Sequence, residues 1–226
     1  MCGRFTLAFT DPSQLRARFA IAEQLEVRRR YNVAPGDDVL AVVRREDAHP
    51  EGVLLRWGLV PHWASDPKEI GVKTINARAE TVAERPAFRD AFARRRCLVV
   101  ADGFYEWKSG TPHWIAREDG EPFAFAGLWA TWRPRGAGDA PPLRSCSIVT
   151  TAAAGPIRDL HDRMPVILRP DAEDAWIDPA TPEEELRALL AEPAAALVHR
   201  PVSRAVNDAR HDEPDCLDPP EQAALF

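Results

Sequence analysis

Four residues able to attack carbonyls or move protons stand in four short polar stretches: Cys2 in "MCGRF", Asn76 in "INARAET", Glu106 in "DGFYEW" and His161 in "LHDRMP". Cys2 directly follows Met1, and a residue this small leaves the first peptide bond open to cleavage. The freed α-amine and the thiol would then share one short carbon skeleton. An amine condenses with an aldehyde to a Schiff base, and a thiol two carbons away closes a five-membered ring on the same carbon as an intramolecular step. Most of an α-amine is protonated at neutral pH, so the reaction needs a proton acceptor, and Glu106 suits that task. Histidine is the general acid and base of neutral solution.

Each residue also has a plainer reading. Cys2 reads as a small buried hydrophobe, Asn76 as a turn residue, Glu106 as a solvent-facing strand residue or the partner of an arginine, and His161 as an ordinary surface or core histidine. Their placement weighs against those readings, because all four fall at the ends of predicted strands, where side chains can converge on one cleft.

The surrounding elements follow from pattern. Thr6–Phe9 reads as a strand, and "DPSQLRARFA" as a helix with Asp11 as N-cap and Pro12 at the first position. "YNVAPGDD" reads as a turn, and "VLAVVRR" and "GVLLRWGLV" as an antiparallel strand pair. "RPAFRDAFARRR" is a short helix with Phe88 and Phe92 one turn apart. "CLVVADGFYEW", "PHWIAR", "PFAFAGLWATW" and "RSCSIVTT" are β-branched and aromatic strands. "MPVIL" and "ALVHRPVS" add two more, and between them "TPEEELRALLAE" is a helix capped by Thr181. Strands do not alternate regularly with helices and no repeat is visible. The expectation is an α+β fold, a single domain over 1–226 dominated by antiparallel sheet, barrel-like, with peripheral short helices and an irregular tail from about residue 208.

Composition narrows the function classes. The chain has 226 residues, 45% apolar and 28% charged, with a formal net charge of −6, which argues against binding a polyanion with the whole surface. Its four cysteines, Cys2, Cys97, Cys146 and Cys216, form no CxxC pair, so neither a zinc ribbon nor a disulfide framework is expected. No metal or cofactor is implied. Apolar runs stay below membrane-span length and no signal peptide is visible, so a cytoplasmic protein without membrane contact is expected, nucleoid-associated if bacterial.

The motifs "MCGRF", "YNVAP", "RWGLVPHWA", "INARAET", "RCLVVADGFYEW", "LHDRMPVIL" and "VSRAVND", in this order, resemble the SOS-response-associated peptidase family, whose members recognise abasic sites in single-stranded DNA. The resemblance runs from Cys2 to about Pro214. Ala79, Val100 and Asp208 depart from residues common in the family. It implies that Cys2, once Met1 is gone, reacts with the open-chain aldehyde of an abasic site and ends as a thiazolidine, a covalent link that shields the lesion. Glu106 would accept the ammonium proton, His161 would protonate the sugar ring oxygen, and Asn76 would position the sugar or the N-terminal residue. Arg4, Arg78 and Arg163 lie beside these motifs and would hold phosphates on either side of the lesion. Trp63 and Trp107 would stack on bases, Pro35 would act as an apolar wedge, and Thr150 would touch phosphate or sugar. Trp57 is read as core, and the basic runs Arg28–Arg30 and Arg94–Arg96 as solvated. The protein would act as a monomer. An N-terminal-cysteine peptidase or amidohydrolase is the alternative, and a lyase step could branch from the Schiff base. Binding of abasic single-stranded DNA is expected to weaken steeply as salt is added, despite the net negative charge; a flat response in fluorescence anisotropy would remove the basic groove.

Overall fold

The continuous apolar run Cys97–Ala101 is buried on both faces, which requires a core on each side of its sheet. The computed structural model describes residues 2–221 except 10, 20, 23, 46–47, 135, 137–140 and 193–195. Met1, whose removal the chemistry requires, lies outside the described residues. In chain order the elements are β1 (Phe5–Leu7), α1 (Pro12–Arg18), β2 (Arg30–Val33), β3 (Asp38–Val43), β4 (Glu51–Trp57), α2 (Pro67–Gly71), β5 (Asn76–Arg78) and α3 (Arg89–Arg94). They continue with β6 (Arg96–Ala101), β7 (Gly103–Lys108), β8 (Thr111–Arg117), β9 (Phe123–Trp132), β10 (Leu143–Ala152), β11 (Arg163–Pro165), β12 (Ile167–Leu168), α4 (Glu173–Ile177), α5 (Glu183–Ala191) and β13 (Leu197–Pro201).

Pairing runs β10–β4–β3–β6–β9, and β9 returns to β10, so five strands close into a barrel. Closure leaves these strands without free edges. A second sheet has the order β13–β8–β7–β1–β2. The two faces of the barrel strands feed different cores. Leu40, Val42, Leu98 and Val100 point to the helices, where they meet Phe19, Phe92, Trp176 and Leu186. Ala41, Val43, Cys97 and Val99 point the other way and share a core with Cys2, Phe5, Phe104 and Ile115 of the second sheet. Each large apolar side chain buried in this way contributes about 1.5–3 kcal/mol. The α+β, barrel-like fold dominated by antiparallel pairing is therefore as expected, with two parallel exceptions: β4 and β5 both run parallel to β10.

Those exceptions position the site. The chain leaves β4 at Gly58, whose φ of 129° is a left-handed value. A Cβ there would lie 2.7 Å from the Gly71 carbonyl oxygen, so only glycine fits. Residues 59–75 loop out through α2 and return as β5, placing Asn76 opposite Ile148 of β10.

Several local expectations need correction. Tyr31–Val33 belongs to β2, because the β1 edge supplies hydrogen-bond partners to residues that carry a turn signal only after Ala34. "MPVIL" divides into β11 on β10 and β12 on β9. Asp11 caps α1 by accepting from Ser13 and Gln14 N–H, but Thr181 does not cap α5: its hydroxyl donates to the Ala175 carbonyl, 2.6 Å, and the helix begins after Pro182. The tail after Asn207 is irregular yet packed down, with Asp212 accepting from Tyr31 and Asn32 N–H and pairing with Arg30.

The run Arg94–Arg96 is not uniformly solvated. Arg96 is 1% exposed and donates to the carbonyls of Phe92, Ala93, Trp176 and Asp178. One guanidinium thus closes the C-terminal ends of both α3 and α4, where the helix dipole favours a cation. Arg96→Met is expected to cost about 3 kcal/mol or more, because it leaves buried carbonyls without donors, as measured by denaturant unfolding.

Candidate active site

β1 lies between β2 and β7, and Tyr105 N–H donates to the Arg4 carbonyl at 3.0 Å, so the chain start is laid along β7. Cys2 is fully buried in the core that contains Phe5 and Phe104. Strand alternation puts Glu106 on the same face of β7 as Phe104, and it is 3% exposed. Its solvent-facing reading is thereby overturned. Asn76 is a strand residue, not a turn residue, and its Nδ2 donates to the Cys2 carbonyl at 2.8 Å. The other amide atom, Oδ1, is buried without a donor among the described residues. His161 stands just before β11 in a loop closed by His161 N–H to Ile157 O and Ala153 N–H to Asp162 O, both 2.9 Å.

The electrostatics couple three of these groups. Burial, then the neighbouring charge of Glu106, pushes the Cys2 thiol well above its usual range. Burial likewise raises the Glu106 carboxyl, and the positive charge of His161 opposes that rise. Cys2 is therefore held as a thiol, and the proton affinity of Glu106 is increased. Nδ1 of His161 accepts the Arg163 backbone N–H at 2.9 Å, which leaves Nε2 to carry the proton of the neutral ring. The same Nδ1 lies 2.8 Å from the Asp162 carboxylate, which is poised to receive a proton-bearing Nδ1 when the ring is charged.

The basic residues divide into two groups. Arg163 forms a fork with Glu80, at 2.5 and 3.0 Å, and also donates to the Thr150 carbonyl at 2.7 Å. Arg163, and to a lesser degree Arg78, lowers the Glu80 carboxyl, so both cations converge on that carboxylate. Arg4 turns away: it donates to Asn32 Oδ1 and Val206 O, each at 2.7 Å, and stands 6.0 Å from the Trp107 ring centre. Trp107 alternates with Glu106 and so faces the opposite side of β7, where its Nε1 donates to Asn207 at 2.8 Å. Thr150 is buried and accepts from Arg163 at 3.4 Å. Pro35 is exposed on the rim of a groove of about 300 Å³ lined by Trp57, Ile75, Pro67 and Val72. Trp63, 51% exposed, flanks the other side of α2. Trp57 is core, as expected, with Nε1 on the Ile75 carbonyl.

Sequence reasoning missed Asn32 and Glu80, though both lie inside stretches it singled out. Asn32 is fully buried and donates to the Val206, Asp208 and His211 carbonyls, tying the C-terminal segment to β2 beside Arg4. A polar residue between apolar neighbours in "YNVAP" was the signal available.

The fold and this cluster define a class: a mixed β-barrel protein with a buried cysteine near the chain start, its carbonyl held by an amide and its thiol near a buried carboxyl group. The family model for SOS response associated peptidase (SRAP) matches residues 1–209, and the chain belongs to that family. It is 39% identical over 229 residues to the abasic site processing protein YoqW of Bacillus subtilis, covering 96% of this chain and 99% of that one. It is 33% identical over 235 residues to the abasic site processing protein YedK of Escherichia coli, covering 97% and 100%. A crystal structure from Bacteroides thetaiotaomicron shares the fold, with a TM-score of 0.84 at 22% identity over 96% of this chain and 99% of that one. No helix among the described residues is long and apolar enough to cross a membrane.

Because Glu106 holds its proton more tightly folded than unfolded, it favours folding below its unfolded pKa, and that contribution is lost as pH rises through the folded value. Glu106→Gln is expected to unfold at a higher temperature than the parent at neutral pH, with the gap closing on acidification. A gap that stays constant with pH would contradict the buried carboxylate.

Proposed function

We propose that the protein captures abasic sites in single-stranded DNA by forming a thiazolidine with Cys2 after loss of Met1. The observation that carries this reading is the seat of Cys2: buried, its carbonyl held by Asn76, its thiol within the field of Glu106. The names of the relatives, abasic site processing proteins, favour the same substrate class.

The order of steps follows from the protonation states. A thiol with a raised pKa is a poor first nucleophile, so the α-amine leads. Glu106 takes a proton from the ammonium, and the free amine attacks the aldehyde carbon. Loss of water leaves a protonated imine, with Glu106 returning the proton to the departing hydroxyl. The thiol sulfur then bonds to the imine carbon and its proton ends on the nitrogen, so the ring closes with no other reactant. His161, with Nε2–H available, donates to the sugar ring oxygen as the aldehyde opens. Asn76 fixes the backbone of Cys2, so amine and thiol approach one carbon together. Arg78 and Arg163 supply phosphate contacts, Arg163 by exchanging Glu80 for a phosphate, while Pro35 and Trp63 flank the lesion. Arg4 and Trp107 contribute from the far side of β7.

The N-terminal-cysteine peptidase reading needs a ready thiolate, and the burial of Cys2 disfavours one. Incubating Met1-free protein with single-stranded DNA bearing one abasic site is expected to give a covalent adduct on a denaturing gel. C2A should abolish it, and E106Q and H161A should slow it by about 100-fold. Absence of an adduct, with catalytic cleavage of peptides instead, would replace this reading by the peptidase one.

A further inference from the structure

We infer that the C-terminal segment carries a site for a divalent transition metal built from His211, Asp215 and Cys216. One donor atom from each lies within 4.8 Å of the other two. Bonds of about 2.0–2.3 Å around a tetrahedral Zn²⁺ separate ligands by roughly 3.3–3.7 Å, so modest side-chain rotation closes the triad. A nitrogen, a carboxylate oxygen and a sulfur suit Zn²⁺ or Co²⁺, whereas Mg²⁺ and Ca²⁺ require oxygen cages. Three protein donors leave a fourth position for water.

The backbone that carries the donors is fixed from outside the triad. Asn32 Nδ2 donates to the His211 carbonyl at 2.6 Å, and Asp212 accepts from Tyr31 and Asn32 N–H at 2.6 and 2.7 Å. Pro214–Leu217 forms a tight turn in which Cys216 is buried against Tyr105, Val202 and Val206, with its Sγ 3.6 Å from the His211 carbonyl. The His211 and Asp215 side chains are 36% and 52% exposed, so two of the three donors face solvent while the sulfur is buried. In the metal-free arrangement His211 Nε2 and Asp215 Oδ1 lie 2.6 Å apart. An ion inserted there replaces the proton between them and the proton on Cys216, so affinity rises with pH. The site lies on the segment that anchors Arg4, and its existence does not depend on the reaction proposed for Cys2.

The test is titration of the full chain with Zn²⁺ by calorimetry and with Co²⁺ by absorption. Both are run on the parent and on C2A, which removes the chelate that the amine and thiol at the chain start could form. We expect one equivalent bound in each, with a thiolate-to-cobalt charge-transfer band. C216S should abolish that band, and H211A and D215N should each weaken Zn²⁺ binding by about 10-fold or more. No saturable binding, or binding that C2A removes, overturns the site. If C216S does not fold, a band and affinity unchanged in both H211A and D215N overturn it equally.

Discussion

The backbone of β10 is the constraint on which the rest depends. Along one edge it bonds first to β9 and then to β11, and along the other first to β4 and then to β5. The pairing with β9 closes the barrel, while the pairings with β5 and β11 carry Asn76, Arg78 and Arg163 to one end of it. No propensity within "INARAET" would hold Asn76–Arg78 extended. A preformed strand edge does, because each unpaired amide left beside it would cost a lost hydrogen bond.

The cleft is assembled from both sheets. The barrel contributes Asn76 and the loop with His161, and the second sheet contributes Glu106 and the start of the chain. Sequestering a carboxyl and a thiol in one apolar core is unfavourable for both charged forms, so burial raises the proton affinity of each, and the charge of Glu106 raises that of the thiol further. Burial thus keeps the sulfur quiescent and the carboxyl basic, which suits amine-first chemistry better than thiolate chemistry.

Most strands were legible because they are long apolar runs bounded by glycine, proline and aspartate, as in "CLVVADGFYEW" and "PFAFAGLWATW". What escaped were features decided at a distance. β5 is three residues long and takes its conformation from β10. Arg96 looks like the end of a charged run until two helix ends converge on it. The four candidate chemical residues were legible as types. Glu106 could be placed on a face by alternation, but nothing local showed that Arg4 would turn to Asn32 and Val206, or that Arg78 and Arg163 would share Glu80.

The position of β1 has a consequence for how the chain matures. Its neighbour β7 begins about a hundred residues later, and the Arg4 contact with Val206 spans 202 residues. At a synthesis rate of about 5–20 residues per second, roughly 10–40 seconds separate the appearance of these two partners. Throughout that interval the first strand has no complete sheet to join and stays accessible on the nascent chain. Once the last segment docks, Arg4 is pinned to Val206 and the chain start is fixed along β7. The register of the first strand is thus set late, after most of the chain has been synthesised.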